Sequence, residues 1–349
     1  MTEINHRILL RGRPTGIPEP DDFVADQVPL RTPASEEVLL ETIFLSIDPA
    51  MRSWMREDPG YQPAVALGAV MRGGGIARVL ESRAVGFQPG ELVQARLGWQ
   101  THPTLPAKYL QKVDLSRGDA QAWIGPLGLS GVTAYFGMRD IGTVKPGERV
   151  LVSGAAGGVG QIAAQIAQIE ACHVVGIAGG AEKCAYLADD LRLDRVIDYK
   201  AEPNLASAIG QACPDGIDLY FDNVGGPTLD AALSHLRTGA RVVLCGRISQ
   251  VAADTPYGIR NLGQLLARRG RMQGFQVFHY HDQYEEARAW LAARHGEGRL
   301  RQRLHILNGL HQAPRALGML FRGENIGKLV VQLGTWDGGT GMVAVTKSV

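Results

Sequence analysis

The run Arg149-Val150-Leu151-Val152-Ser153-Gly154-Ala155-Ala156-Gly157-Gly158-Val159-Gly160 constrains this chain more than any other stretch. It opens on a short apolar segment of strand type, turns on glycines and leads into a helix. The helix follows from Val159, Ile162, Ala163, Ile166 and Ala167, which recur at three- and four-residue spacing while Gln161, Gln165 and Gln168 take the other face. A strand, a glycine turn and a helix in that order form a crevice for the pyrophosphate of a dinucleotide. Free backbone N–H groups and the positive end of the helix dipole face the anion, and glycine removes the side chain that would collide with it. Gly154, Gly157 and Gly160 stand three apart, so the simple G-x-G-x-x-G spacing is not met. The context comes from a second strand, His173–Ala178, which follows at the βαβ distance.

The end of that second strand selects the cofactor. An enzyme of NAD would place Asp or Glu there for the ribose 2′-hydroxyl. This chain has Ile177-Ala178-Gly179-Gly180-Ala181-Glu182-Lys183, with glycines in place of the acid and a lysine one helical turn on. A carboxylate would repel a 2′-phosphate and an ammonium attracts it, so the expected cofactor is NADP(H). Glu182 as a ribose ligand is the competing reading, weakened by its neighbour.

A chain of 349 residues is long enough for two domains with a large core. Its net charge of +1 gives no strong field for nucleic acid or a membrane surface. The first ten residues mix Glu3, His6 and Arg7 with apolar residues and do not read as a signal peptide, and no apolar run approaches a membrane span. Cys172, Cys184, Cys213 and Cys245 share no C-x-x-C spacing, so reduced thiols in a cytoplasmic protein are expected.

Residues 1–125 read as mostly β. Short apolar runs such as Glu37-Val38-Leu39-Leu40-Glu41-Thr42-Ile43 alternate with Pro and Gly turns, as in a compact barrel or sandwich. From about 126 strands and helices alternate. Buried strands are expected at 195–198, 218–222, 240–245 and 272–278, and helices at 228–236 and 262–269. That alternation predicts an α/β doubly wound parallel sheet, with the ligand at the carboxyl ends of its strands. A helix at 313–321 and a strand at 328–333 close the chain and are expected to return to the first domain. No metal is expected. The β-rich stretch 1–125 holds no cysteine and only His6 and His102, while His279 and His281 alone are a poor ligand set. No Ser–His–Asp or paired-carboxylate arrangement is readable.

The motifs Ile47-Asp48-Pro49-Ala50-Met51-Arg52, Gly128-Leu129-Ser130-Gly131-Val132-Thr133-Ala134-Tyr135-Phe136-Gly137 and Asn325-Ile326-Gly327-Lys328 are also present. With the glycine turn, 178–183, 197–200, 220–226 and 245–250, they run in order through nearly the whole chain. In this the chain resembles the zinc-independent medium-chain reductases, in particular the NADP-dependent enone reductases. The resemblance implies a GroES-like catalytic domain from 1–125 plus 305–349 and a Rossmann NADP-binding domain from 126–304. It implies a homodimer that reduces the C=C bond of α,β-unsaturated ketones or aldehydes with NADPH. Gly157, Gly158, Val159 and Gly160 would hold the pyrophosphate, and Lys183 and Tyr199 the 2′-phosphate. Asn223 would face the ribose or pyrophosphate. Cys245, Gly246, Ile248 and Ser249 would run beside the cofactor, Phe275, Gln276 and Val277 beside the nicotinamide, and Asn325 would close the cleft.

Two departures bear on the chemistry. The family's tyrosine after the Ile-Ser-Gln run is here Val251, and the tyrosine of Asp-Pro-Tyr-Met-Arg is here Ala50. Two phenolic hydroxyls that the resemblance places at the pocket, the first of them near the substrate carbonyl, are gone. The pocket should therefore be wider and more apolar, with Tyr257, Tyr61, Tyr135 or the cofactor's ribose hydroxyl as substitute donors. The rival readings are a quinone reductase, and an NADPH-binding protein with little catalysis.

Overall fold

In the computed structural model of the chain, residues 4–58, 60, 62–253 and 255–336 are described. They form two units: residues 4–124 with 303–325 and 329–336, and residues 125–302 with 326–328.

In the first unit, β1 (Ile4–Leu10) and β2 (Phe23–Pro29) make an antiparallel ribbon. The other strands are β3 (Glu37–Ser46), β4 (Gly75–Ser82), β5 (Leu92–Ala95), β6 (Thr104–Pro106) and β7 (Gln111–Lys112). They join two strands from the C-terminal part of the chain in a seven-stranded sheet that also holds β6, paired to β3. Nearly every residue of β3 is buried, because β4, β6 and the last strand of the chain all pair with it. Val38, Leu40, Ala77, Val79, Val93 and Leu97 fill the core of this unit. Its β3–β4 register shifts between Thr42 and Phe44, and Gly75 is required there: a Cβ would stand 2.2 Å from the Phe44 carbonyl oxygen.

The second unit carries β8 (Arg149–Ser153), β9 (His173–Ala178), β10 (Arg195–Asp198), β11 (Ile217–Asp222), β12 (Leu236–Leu244) and β13 (Arg271–Gly274). All pair in parallel, in the order β10-β9-β8-β11-β12-β13. The chain works outward from β8 to β10, then restarts on the other side of β8 with β11. A crevice therefore opens at the carboxyl ends of β8 and β11. The central strands are continuous apolar runs (Val150 to Val152, Leu219 to Phe221), as parallel strands buried on both faces require. Arg241 of β12 pairs with Glu148, which directly precedes β8, through both oxygens, with side chains only 14% and 15% exposed.

The expected strand at 272–278 is shorter than its apolar pattern implied. It ends at Gly274, and Val277–Gln283 forms a 3₁₀ stretch that includes His279 and His281. Aromatic packing prevails over strand propensity there. Tyr280 stacks on Phe136 at 4.2 Å and meets Phe275 edge-on at 6.4 Å. The tail supplies β14 (Leu304–Asn308), the helix Ala313–Arg322 and β15 (Lys328–Gln332), and β15 pairs with β3. Ile326–Lys328, however, belongs to the second unit, where the Gly327 N–H donates to the Ala156 oxygen at 2.7 Å. Among the described residues, no helix is long and apolar enough to cross a membrane.

Candidate dinucleotide site

The loops leaving the carboxyl ends of the parallel strands contain nearly every candidate cofactor residue. Read across the sheet, they are Tyr199 after β10, Lys183 after β9 and the glycine turn after β8. Next come Asn223 after β11, then Cys245 to Ser249 after β12, and Phe275 to Val277 after β13. In that order lie the positions for which the sequence resemblance implies the 2′-phosphate, the pyrophosphate and the nicotinamide. Asn325, buried at 8% exposure, lies in the first unit and directly precedes Ile326–Lys328.

At the glycine turn, the Gly157 N–H donates to the Gly154 oxygen at 2.9 Å and Gly154 has φ +58°. The helix Gly160–Ile169 starts against that turn so closely that a Cβ on Gly160 would stand 2.2 Å from the Gly154 oxygen. The cradle is made of backbone, and a pyrophosphate fits where side chains are absent.

At the β9 and β10 ends, Gly180 (φ +96°) starts the helix Ala181–Ala185. The Tyr199 ring lies over Gly179, where a Cβ would stand 2.5 Å from the ring. Asp198 ties the two loops together: one carboxylate oxygen accepts from the Gly180 N–H at 2.8 Å and the Lys200 N–H at 3.0 Å. These bonds, the one from Gly180 foremost, hold the Asp198 carboxyl below its usual range, so its charge is spent on backbone rather than on a ligand. Burial and then the nearby Lys200 ammonium lower the Lys183 pKa. Two cations within electrostatic range of each other at the sheet edge are the expected counterpart of a dianionic phosphate.

The crevice itself is organised by Asp222, fully buried at the end of β11. One of its oxygens accepts from Ser153 Oγ at 2.8 Å, Tyr220 Oη at 2.7 Å and the N–H groups of Val224 and Gly225 at 3.0 Å. Ser153 in turn accepts from the Asn223 N–H at 3.0 Å, and Asn223 Nδ2 donates to the Ser153 oxygen at 2.8 Å. The β12 loop is laced to this turn. Cys245 and Gly246 donate to the Asp222 oxygen at 2.9 Å, and Ser249 Oγ donates to the Val224 oxygen at 2.7 Å. Asn223 is thus held by both central strands. Sequence reasoning gave no role to Asp222 or Asp198. Their only signal was an acid closing an otherwise apolar run, which also suits a turn residue.

The tyrosines proposed as donors lie as follows. Tyr257 gives its hydroxyl to Asp230 at 2.9 Å, and Asp230 also accepts the N–H groups of Arg260 and Asn261. Tyr135 gives its hydroxyl to Glu286 at 3.1 Å. Tyr61 lies outside the described residues. Val251 is buried at the end of the helix Ile248–Val251, and Ala50 begins the helix Ala50–Trp54 of the first unit. Arg52 of the same motif is a packing residue, donating to the Gly16 and Pro14 carbonyls at 2.9 and 2.7 Å. Among the described residues, no group of three or more His, Cys, Asp and Glu is placed to hold a metal.

A two-unit, nucleotide-dependent oxidoreductase is the class this fold and row of loops define. The chain matches the family descriptions "N-terminal domain of oxidoreductase" over residues 6–113 and "Zinc-binding dehydrogenase" over residues 158–293. It is 38% identical to the NADPH-dependent curcumin reductase of Escherichia coli over 339 residues, 94% of this chain and 97% of that one. It is 37% identical to the 2-alkenal reductase (NADP(+)-dependent) of Nicotiana tabacum over 334 residues, 94% and 97% of the two chains. The crystal structure of CurA in complex with NADPH from Vibrio vulnificus superposes with a TM-score of 0.89 at 38% identity, covering 95% of this chain and 99% of that one. The chain belongs to the medium-chain dehydrogenase/reductase family, in the branch that holds the curcumin and 2-alkenal reductases.

Proposed function

We propose that this chain is an NADPH-dependent reductase of the C=C bond of α,β-unsaturated ketones and aldehydes. The observation that carries the reading is the row of candidate cofactor loops at the carboxyl ends of the parallel strands, with Lys183 in the helix after β9, in a chain related over nearly its whole length to reductases of this kind. The bound dinucleotide supplies a hydride to the β-carbon of the enone. Negative charge then gathers on the carbonyl oxygen as an enolate, and donors aimed at that oxygen lower the barrier. The α-carbon is protonated from water.

The chain's own part is to bind, orient and stay inert. The first unit, with the tail returning to it, is read as the GroES-like catalytic half, and the second unit as the NADP-binding half. Enones alkylate thiolates, so a cysteine near the site must remain a thiol. Burial, with the Asp222 charge adding to it, pushes the Cys245 thiol up to about 12, and burial raises Cys172 and Cys213 to about 11. Tyr135 and Tyr257 already donate their hydroxyl hydrogen bonds to carboxylates, and Val251 has no hydroxyl, so the enolate oxygen lacks a phenol from these positions. Val251→Tyr is therefore expected to raise kcat several-fold on a small enone and to obstruct a bulky apolar one. Comparing kcat and KM for both substrates in both proteins checks this; equal slowing of both, or no change, removes position 251 from the site.

The turnover test is NADPH oxidation against a panel of enones, enals and quinones. Enones and enals should be consumed, while preference for quinones, or binding of NADPH with no turnover, would overturn the reading. We further infer that zinc takes no part. Activity should survive prolonged chelation, and a stoichiometric zinc lost together with activity would contradict that. A cytoplasmic homodimer is the form we expect, checked by light scattering on the purified chain.

A further inference from the structure

Beside the glycine turn of the second unit lies one hydroxyl, on a buried residue, that the cofactor residues above leave unused. Ser130 sits in the first turn of the helix Leu129–Phe136 and is 7% exposed. Its oxygen makes no hydrogen bond to protein among the described residues, yet it is not one of the fully enclosed side-chain atoms left without a partner, so the hydroxyl faces open space. Thr133, on the same helix, shows the usual alternative: its hydroxyl turns back to the Leu129 oxygen at 2.7 Å. Ser130 Oγ instead stands 3.4 Å from the point a Cβ on Gly158 would occupy. The gap between that hydroxyl and the turn is kept open because residue 158 has no side chain, and the stem of Lys328 walls it, with Cδ 2.9 Å from the same point. The helix Leu129–Phe136 thus brings a second N-terminus, with its positive dipole end, to the turn from which Gly160–Ile169 starts. An unpartnered hydroxyl on a buried residue and two helix starts around one glycine turn define a place for an anionic oxygen.

We propose that Ser130 is a further cofactor-binding residue, whose hydroxyl donates to a pyrophosphate oxygen of the dinucleotide where it passes Gly158. The assignment rests on the reading of the chain as an NADPH enzyme. It separates two ends of one ligand. Lys183 acts on the 2′-phosphate, which NADH lacks, whereas Ser130 acts on the pyrophosphate, which both dinucleotides share.

The test is direct binding, by nicotinamide fluorescence titration of the full chain and by calorimetry with 2′-AMP, which has the 2′-phosphate and no pyrophosphate. Ser130→Ala should raise the Kd of NADPH and of NADH alike, by about tenfold, the effect of one hydrogen bond to a charged group. It should leave 2′-AMP unchanged, and Ser130→Thr should restore both dinucleotides. Unchanged Kd values for the dinucleotides would overturn the proposal. So would weakening confined to NADPH, which would move Ser130 to the other end of the ligand, or equal weakening of 2′-AMP, which would mark a disturbed fold. A wild-type chain that binds neither dinucleotide would remove the NADPH reading itself, and this assignment with it.

Discussion

Asp222→Ala is expected to destabilise the chain by about 3–5 kcal/mol, the usual cost of removing one partner from a buried charged network. The substitution leaves the hydroxyls of Ser153 and Tyr220 and the N–H groups of Val224 and Gly225 without their acceptor. Each unsatisfied buried donor costs about 1–3 kcal/mol. The sum is not reached, because the variant also relieves the burial of a carboxyl whose pKa burial raises. That raised pKa fixes the sign of the pH dependence. The stability Asp222 confers is fully present below its unfolded pKa of roughly 4 and is lost as pH rises through its higher folded pKa. The gap between wild type and variant, measured by denaturant unfolding at several pH values, should narrow in that window. A gap that widens there would contradict the account. Cofactor affinity should fall in the same variant, since the carboxylate fixes the Ser153 hydroxyl that accepts from the Asn223 N–H and holds the Val224 turn to which Ser249 donates.

Lys183→Ala should weaken NADPH by roughly ten- to a hundredfold and leave NADH nearly untouched. The estimate is the loss of one charge-assisted phosphate contact, about 1.5–3 kcal/mol. Lys183 is partly buried and within electrostatic range of Lys200, so its charge is less screened than a surface lysine's. Fluorescence titration of both dinucleotides against wild type and variant decides it, and equal weakening of the two would remove Lys183 from the 2′-phosphate.

Much of this was legible because parallel strands and their loops announce themselves. The β8 run, its glycine turn and the helix after it are readable from three- and four-residue spacing, and Gly179-Gly180 with Lys183 points to the cofactor in the sequence alone. The doubly wound sheet followed from strand–helix alternation. Illegible features were those fixed by contacts distant in sequence. Tyr280 stacking on Phe136 ends β13 early, and nothing in the 272–278 pattern foretells that partner. The pairing of Gly327 with Ala156 draws three tail residues into the second unit across a long stretch of chain. Asp222 and Asp198 look like ordinary loop acids until their donors are seen. The engagement of Tyr135 by Glu286 and of Tyr257 by Asp230 is likewise invisible in sequence, though it decides which hydroxyls remain available to a substrate.

Hydride delivery to the β-carbon of an enone is the central claim, and it can be followed by label. NADPH deuterated at C4 of the nicotinamide, in each stereochemical form, is turned over with one enone, and the product is examined by NMR. With one of the two forms, deuterium should appear at the former β-carbon of a saturated ketone, with a solvent-derived hydrogen at the α-carbon. Deuterium on the carbonyl carbon of an allylic alcohol, or no labelled product from a chain that binds NADPH, would contradict the account.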